Sequence, residues 1–209
     1  MEDMRMTGKR NPYSSDFKIG LDADLKIIAY EAEFYQNAGA AADLSPAVLE
    51  RTLFHCTNSY FVPNVTATAD RCRNNLPRNT AFIGLGGPKG MFVIEPAIAK
   101  AAEELGISAS TIQQKNLLQT GDAFVYGQIA ESEASSCWEK ASSLYEIEKL
   151  NKEIADFNAD NTQYKKGLSF MPICFGISFT KPMMNQSRAM VEVYLDGSGK
   201  VRTGAVSMG

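Results

Sequence analysis

A glycine-rich segment is the part of this sequence whose residue types most directly suggest ligand binding. It covers residues 79–90 and carries glycines at positions 84, 86 and 87. Glycine adopts backbone dihedral angles that a side chain forbids, and it lets another group approach the main chain closely. If the residues that follow are helical, their first amide N–H groups are unpaired and can bind an anion. The segment lacks the glycine spacing of a dinucleotide fingerprint and the Lys-Ser/Thr ending of a P-loop, so a strand-to-helix turn without a ligand is the simpler interpretation.

Arg51 and His55 are the next residues that could take part in chemistry. Ser45 is expected to cap a helix with Pro46 at its first position, which places Arg51 on that helix and His55 near its end. An arginine in such a position usually lies on a solvated face or in an ion pair. For His55, a hydrogen-bonded structural role is favoured over a catalytic one, because the sequence offers no partner for a Ser-His or Cys-His nucleophile.

Cysteine spacing and net charge argue against several classes of site. The four cysteines are far apart and form no Cys-x-x-Cys pair, so no zinc or iron–sulfur site is predicted and reduced, buried thiols are expected. The net charge of -3, with no basic run beyond Lys165-Lys166, argues against nucleic acid or an anionic membrane as a partner. No apolar stretch is long enough to span a bilayer and the N-terminus has no signal-peptide core, so a cytoplasmic setting is expected.

Hydrophobic periodicity and capping residues predict the elements that position these groups. Gly106 should end a helix in which Pro96 causes a kink or a late start, and Ser108 or Ser110 should cap the next one. A long helix is expected over residues 132–158, with Trp138 and Tyr145 in the core. Together the patterns predict a hairpin over 13–37, a strand over 65–69, helices over 45–53, 91–105, 110–118 and 132–158, strands over 167–170 and 177–180, and a hairpin over 189–203.

The order of these elements favours an α+β fold, with hairpins and a mixed sheet packed against several helices. No repeat, linker or low-complexity segment marks a domain boundary. We therefore expect one region over residues 1–209, strand-rich at 1–40 and 167–209 and mostly helical between them.

Several strings of residues are distinctive when they are taken together. They are Asn37-Ala38-Gly39, Glu50-Arg51-Thr52-Leu53-Phe54-His55, Asn79-Thr80-Ala81-Phe82, Gly86-Gly87-Pro88, Phe175-Gly176-Ile177-Ser178-Phe179-Thr180, Asn185-Gln186 and Asp196-Gly197-Ser198. In the same order and with the same gaps, these strings resemble the molybdenum-binding part of xanthine dehydrogenase-like enzymes, which belong to the xanthine oxidase and aldehyde oxidase family of molybdenum hydroxylases. The resemblance covers the chain from end to end.

The resemblance implies part of a larger molybdopterin-binding architecture. Enzymes of this family hydroxylate a carbon of a purine or an aldehyde with oxygen from water, and pass electrons from a molybdenum–pterin centre through iron–sulfur clusters to a flavin (FAD). This chain resembles a middle piece, so we expect the Fe-S and FAD groups on other parts and the isolated chain to be inactive. The implied partners are a purine substrate and the remaining parts or subunits of the enzyme, and a homo-oligomer is expected. Surfaces that would pack on such parts should expose apolar patches, so self-association is also expected.

The resemblance also implies roles for individual residues. Arg51 matches the arginine that hydrogen-bonds the purine and stabilises developing negative charge, which favours purines over aldehydes. Phe179 matches an aromatic ring that packs edge-on against the substrate, and Thr180 matches a hydroxyl or backbone contact to it.

For the cofactor, the resemblance implies backbone contacts rather than side-chain ligands. Phe82, Ile83 and Gly84 match a loop whose main chain approaches the metal–pterin group, with the backbone of Ile83 near molybdenum. Met208 and Gly209 match a second turn that contacts the cofactor. No side-chain metal ligand is implied.

The chain departs from the family pattern at functionally sensitive positions. Ile83 stands where arginine is typical, and Leu85 stands where a phenylalanine stacks on the purine, so Leu85 keeps an apolar wall without the ring. Of a motif over residues 203–209, only Gly204 and the end agree with the family. Three hypotheses follow: a purine-oxidising enzyme segment, a non-catalytic binding or assembly module, and a relative that oxidises an aldehyde or another N-heterocycle.

Overall fold

The first half of the chain folds around a three-stranded mixed sheet. The computed structural model describes residue 2 and residues 6–176 and 178–205. The strands are β1 (Lys9–Arg10), β2 (Tyr13–Leu21), β3 (Ile27–Gly39), β4 (Val65–Arg73) and β5 (Asn79–Thr80). β2 and β3 pair antiparallel, with Tyr13 opposite Gln36, and β4 runs parallel to β3. A separate parallel pair joins β1 to β5.

The predicted hairpin over residues 13–37 is confirmed, because β2 and β3 are its two strands. Its turn begins at Asp22, whose side-chain oxygen accepts the amide hydrogens of Asp24 and Lys26. Phe17 and Ile19 alternate with exposed residues and pack on the core, as their period of two predicts.

Two helices cover this sheet, α1 (Ser45–Phe54) and α2 (Gly87–Leu105). The predicted cap at Ser45 is wrong. Leu44 occupies the N-cap position, and the buried Ser45 hydroxyl instead accepts a hydrogen bond from Asn11 at 3.0 Å. That contact ties α1 to the chain between β1 and β2.

The apolar face predicted for α2 is largely confirmed, because Met91, Ile94, Ile98 and Ala102 are buried. Leu105 is exposed, so it does not belong to that face. Gly106 ends the helix in the left-handed region at a φ of 66°, as predicted.

Pro96 does not delay the start of α2, which begins nine residues earlier at Gly87. The proline lies on the exposed side of the helix. Water can therefore bind the carbonyl group that its missing N–H leaves unpaired.

α3 (Ala109–Lys115) starts at the predicted cap, where the Ser108 hydroxyl accepts the amide hydrogen of Ser110. The long helix predicted over 132–158 is wrong as a single element. Instead, α4 (Ala134–Leu144) and α5 (Ile147–Asp160) are separated at Glu146, whose φ of 48° cannot continue a right-handed helix.

The two aromatic residues assigned to this helical region differ in burial. Trp138 is buried against Phe170, with ring centroids 4.4 Å apart, as predicted. Tyr145 is exposed, because it lies at the break between α4 and α5.

Residues 161–176 and 178–181 form no helix or strand, so the strand predicted over 167–170 is wrong. The strand predicted over 177–180 is likewise not present at residues 178–180, and Ile177 lies outside the described residues. Part of the backbone of residues 161–176 bonds to side chains near the end of α1 instead of to a neighbouring strand. A short 3-10 turn (Pro182–Met184) leads into β6 (Ala189–Val193) and β7 (Gly199–Thr203), which form the predicted hairpin. Val193 and Val201 on this hairpin are exposed, as expected for an apolar surface without a packing partner.

Candidate functional site

Among the described residues, the Arg51 side chain is a buried cation. It lies in the last turn of α1 with only 3% of its surface exposed. Its Nη1 donates a hydrogen bond to the carbonyl of Gly176, and its guanidinium lies 5.3 Å from the centre of the Phe175 ring. Its Nε is buried and has no hydrogen-bond partner among the described residues. The prediction of a solvated face or an ion pair is therefore wrong: burial lowers the pKa of Arg51, and within the described chain no carboxylate pairs with it.

His55, one turn further along, has a defined tautomer. The amide N–H of Gly176 donates to its Nε2 at 3.0 Å, so that nitrogen must carry the lone pair. Nδ1 therefore carries the proton and donates to the carbonyl of Arg51 at 2.9 Å. Burial lowers the pKa of His55, and the nearby Arg51 charge lowers it further, against the opposing effect of the bond to the Arg51 carbonyl. The predicted hydrogen bonding of His55 is confirmed, and its structural rather than catalytic role stays a prediction.

Gly176 is thus bonded through both of its backbone groups, to His55 by its N–H and to Arg51 by its carbonyl. Phe175 packs beside them, with its ring centroid 5.1 Å from that of His55. Sequence reasoning did not assign Phe175 or Gly176 to the site. The available signal was their position inside the string Phe175-Gly176-Ile177-Ser178-Phe179-Thr180.

The glycine-rich segment combines a strained turn with close packing on α1. A positive φ occurs at Gly84 (80°) and at the buried Leu85 (54°), while Gly86 does not need one. A Cβ on Gly86 would overlap the Val48 carbonyl oxygen and lie 2.8 Å from the backbone nitrogen of Thr52. The close approach expected at this glycine is therefore made by α1 and not by a ligand.

The turn before α2 nevertheless presents free donors. In the part of the chain that the structure describes, the amides of Ile83 and Gly84 form no hydrogen bond, and the Ile83 side chain is 59% exposed. The guanidinium of Arg10 lies 4.8 Å from the centre of the exposed Phe82 ring. Lys89 bonds to the Leu85 carbonyl, and burial, aided by the charge of Arg10, lowers the pKa of Lys89 to about 8. Free amides beside two cations fit a group that accepts hydrogen bonds or carries negative charge.

Phe179 and Thr180 are placed less directly. The Thr180 hydroxyl donates to the Glu50 carboxylate at 2.7 Å, so Thr180 lies beside the residue that precedes Arg51. The Phe179 backbone is held by Asn185, whose side chain bonds both its N–H and its carbonyl. Among the described residues, neither Phe179 nor Ile83 forms a hydrogen bond or ring contact with Arg51. Met208 and Gly209 lie outside the described residues, so their expected cofactor contact stays a prediction.

Three further findings concern metal-binding side chains, membrane-spanning helices and clefts. No group of three metal-binding side chains occurs among residues 2, 6–176 and 178–205. None of the described helices has the length and apolar composition required to cross a membrane. A cleft of about 1380 Å³ lies between α2, α3, α4 and α5 and includes none of the residues assigned to substrate or cofactor.

Comparison with known proteins gives the chain a family. Residues 1–117 match the model of a molybdopterin cofactor-binding domain, and residues 140–209 match a second model of the same description. The xanthine dehydrogenase/oxidase of Felis catus is 42% identical over 100% of the chain and 16% of that protein. A nicotinate hydroxylase of Emericella nidulans is 35% identical over 100% of the chain and 16% of its own length.

A solved structure supports the fold independently of sequence similarity. The aldehyde oxidoreductase of Desulfovibrio gigas superposes with a TM-score of 0.74 at 20% identity, over 96% of this chain and 22% of that one. The predicted α+β fold is thereby confirmed. The chain spans only about 16% of the length of the two curated relatives named above. Because the first domain match covers more than half of the 209 residues, the chain belongs to the molybdopterin cofactor-binding domain family.

Proposed function

We propose that this chain supplies the substrate-facing side of a molybdenum hydroxylase that oxidises purines such as hypoxanthine and xanthine. Arg51 binds the purine and stabilises negative charge that develops on it during hydroxylation. The proposal extends the family membership to a substrate class, and it includes a role in purine catabolism.

The observation that carries the proposal is the buried and incompletely bonded guanidinium of Arg51. Charged side chains are rarely fully buried unless they are paired, because removing the charge from water is costly. Arg51 is 3% exposed, its Nε has no partner, and within the described residues no carboxylate compensates its charge. A purine offers ring nitrogens and carbonyl oxygens that accept hydrogen bonds from such a planar fork.

Other residues give the proposed pocket its walls. Leu85 contributes an apolar surface and Phe179 an aromatic one. Because the Thr180 hydroxyl hydrogen is directed to Glu50, Thr180 would contact the substrate through its backbone or through the oxygen lone pairs of its hydroxyl group.

The cofactor in this proposal is a molybdenum–pterin group held through the backbone of Phe82, Ile83 and Gly84. The unbonded amides of Ile83 and Gly84 are suitable donors to it. When bound, the group would accept the electrons released as oxygen from water is inserted at a purine carbon. Fe-S and FAD groups, which would carry those electrons onward, are assigned to other parts of the enzyme.

The assembly and cellular setting belong to the same proposal. Further parts or subunits of the enzyme would cover the exposed hairpin of β6 and β7, and the complete enzyme would be a homo-oligomer. A cytoplasmic location agrees with the four cysteines, which are unpaired thiols. The predicted burial is wrong for Cys72 and Cys137, which are exposed, and right for Cys56.

A second candidate is oxidation of a different N-heterocycle or an aldehyde. Leu85 favours it, because a leucine at a site where the family resemblance expects a stacking ring leaves the wall less selective for a flat purine. The similarity to a nicotinate hydroxylase is consistent with this candidate. Ile83, which removes a cation from the cofactor side, supports a third candidate in which the site binds without catalysing.

Transplanting the chain tests these candidates together. The aligned segment of the feline xanthine dehydrogenase/oxidase is replaced by this chain, and oxidation of xanthine, nicotinate and an aldehyde is measured. The proposal expects xanthine to be the best substrate and Arg51→Lys to lower kcat/KM about a hundredfold. Arg71→Lys, at an exposed position of β4, is the matched control and should change nothing. Preference for nicotinate or the aldehyde supports the second candidate, and a cofactor-loaded chimera without turnover supports the third.

A further inference from the structure

Asn58 lies in the turn that follows α1, and its side chain is bonded on both sides. It is 3% exposed, and its φ of 49° lies in the left-handed region. Its Nδ2 donates to Glu95 Oε1 at 2.9 Å and to the carbonyl of Pro172 at 2.8 Å. Its Oδ1 accepts the amide hydrogen of Cys174 at 3.2 Å. One side-chain amide therefore binds both a carbonyl and an N–H within residues 172–174, as a neighbouring strand would.

Glu95, on α2, determines which way the Asn58 amide points. Besides Asn58, its carboxylate accepts the Tyr60 hydroxyl at 2.8 Å and Nε2 of Gln113 at 2.8 Å. A carboxylate offers only acceptors, so the atom of Asn58 that faces it must be the NH₂ group. This orientation directs the Asn58 oxygen to Cys174.

The bonds to Asn58 fix the backbone immediately before the residues that contact Arg51. Cys174 is held by Asn58, and two residues later Gly176 binds both His55 and Arg51. Between them, Phe175 packs on His55. The position of the Gly176 carbonyl, and hence the direction of the Arg51 guanidinium, depends on where residues 172–174 are anchored.

We propose that Asn58, oriented by Glu95, is a positioning residue that holds residues 172–176 against Arg51 and aims its guanidinium. The inference deepens the proposed function, because it rests on Arg51 being the purine-binding group. A purely structural residue would stabilise the whole domain. A positioning residue should instead control the amide hydrogen exchange and the hydrogen bonds of residues 172–176 alone.

Hydrogen exchange measured by NMR on the 209-residue chain separates these two roles. Asn58→Asp puts a second carboxylate against Glu95 and removes the donor to Pro172. Asn58→Gly removes the whole side chain while tolerating the positive φ. Asn64→Asp is the matched control, because Asn64 is exposed and bonds to the carbonyl of Ile28 instead.

Both Asn58 variants should speed exchange of the Cys174 and Gly176 amides roughly tenfold or more, since each loses a bonded anchor. The Ile94 and Ile98 amides in the core of α2 should be unchanged. The pKa of His55 should rise toward its ordinary value, because loosening residues 172–176 exposes the ring to water and relieves the burial that lowers this pKa. Unchanged exchange at Cys174 and Gly176, or an equal increase at Ile94 and Ile98, overturns the inference.

The chimera described above distinguishes this inference from the proposed function. Asn58→Asp should lower kcat/KM for xanthine roughly tenfold through the displaced Arg51, while Asn64→Asp leaves it unchanged. If Arg51→Lys lowers kcat/KM and Asn58→Asp does not, the positioning inference is overturned and the proposed function stands. If neither variant affects xanthine oxidation, the purine-binding role of Arg51 fails, while faster exchange at Gly176 still supports the hold of Asn58 on the segment.

Discussion

The Nδ1 atom of His55 donates a hydrogen bond to the carbonyl of Arg51 at 2.9 Å, one helical turn before it. The same two residues hold Gly176 from opposite sides, since His55 accepts its N–H and Arg51 donates to its carbonyl. A neutral histidine and a charged arginine are thus bonded to one another and to one glycine. The arrangement requires His55 to stay neutral, because a protonated Nε2 would direct a hydrogen at the N–H of Gly176.

This requirement predicts how stability depends on pH. The folded-state pKa of His55 is lowered, so the unfolded chain binds more protons near the ordinary value of about 6.5. The free energy of unfolding should therefore fall as the pH decreases through about 6.5. Urea unfolding between pH 8 and 5 measures this, and His55 is the only histidine, so no other imidazole contributes. His55→Gln, which can keep one donor and one acceptor, should make the free energy of unfolding depend less on pH in this range. An equally steep dependence in the variant contradicts the prediction.

Arg51 should be a residue whose removal stabilises the fold. Replacing it by methionine keeps much of the side-chain length and removes a buried charge, which is often neutral or stabilising by about 1 kcal/mol or more. The exposed Gly176 can find water for its freed carbonyl. We therefore expect Arg51→Met to raise the free energy of unfolding in urea and to abolish xanthine oxidation in the chimera. Arg71→Met, at an exposed position, should change stability by less than about 0.5 kcal/mol. A large loss of stability in Arg51→Met would show instead that the guanidinium is part of the structural core.

Gly86 should tolerate no side chain, although its own φ is ordinary. A Cβ there meets the Val48 carbonyl oxygen and Thr52 on α1, so Gly86→Ala must push α1 away from the start of α2. Overpacking of this kind destabilises the fold by about 1–3 kcal/mol, and backbone atoms move aside less easily than side chains do. Gly167→Ala is the control, because a Cβ at Gly167 has no neighbour within 4 Å. Urea midpoints of the two variants give the comparison, and equal midpoints would contradict the packing role of Gly86.

Elements that depend on local patterns were predictable from the sequence. The β2–β3 hairpin follows from its alternation and the Asp22 turn, and the end of α2 follows from Gly106, because both signals lie within a few residues of the structure they determine. Placing Arg51 on α1 needed no more than Pro46 and the helical spacing after it.

Features that depend on distant contacts were not predictable in this way. The burial of Arg51 depends on Gly176, 125 residues away, and the irregular course of residues 172–176 depends on bonds to Asn58 and His55. The break before α5 has a local cause, the left-handed conformation of Glu146, but glutamate carries no signal for it, unlike glycine or asparagine. The family resemblance assigned Arg51, Phe179 and Thr180 to the substrate side because a family pattern encodes such distant contacts indirectly, and that assignment stays a prediction.

Ile83 and Leu85 should respond differently when the residues typical of the family are restored. Ile83 is 59% exposed in a turn, so Ile83→Arg adds a cation beside the free amides without strain. We expect the chimera to retain more molybdenum after this change, measured per protein by metal analysis, with the unfolding midpoint unaltered.

Leu85 is 8% exposed and has a φ of 54°, so Leu85→Phe must fit a larger ring into a packed and already strained position. Overpacking should lower stability by about 1–3 kcal/mol unless the ring turns outward into the proposed pocket. If Leu85→Phe leaves stability unchanged and lowers KM for xanthine, the new ring occupies the pocket and Leu85 forms a wall of that pocket. If Leu85→Phe destabilises the chain without affecting KM, Leu85 belongs to the core of the turn. Its assignment to the substrate site is then wrong.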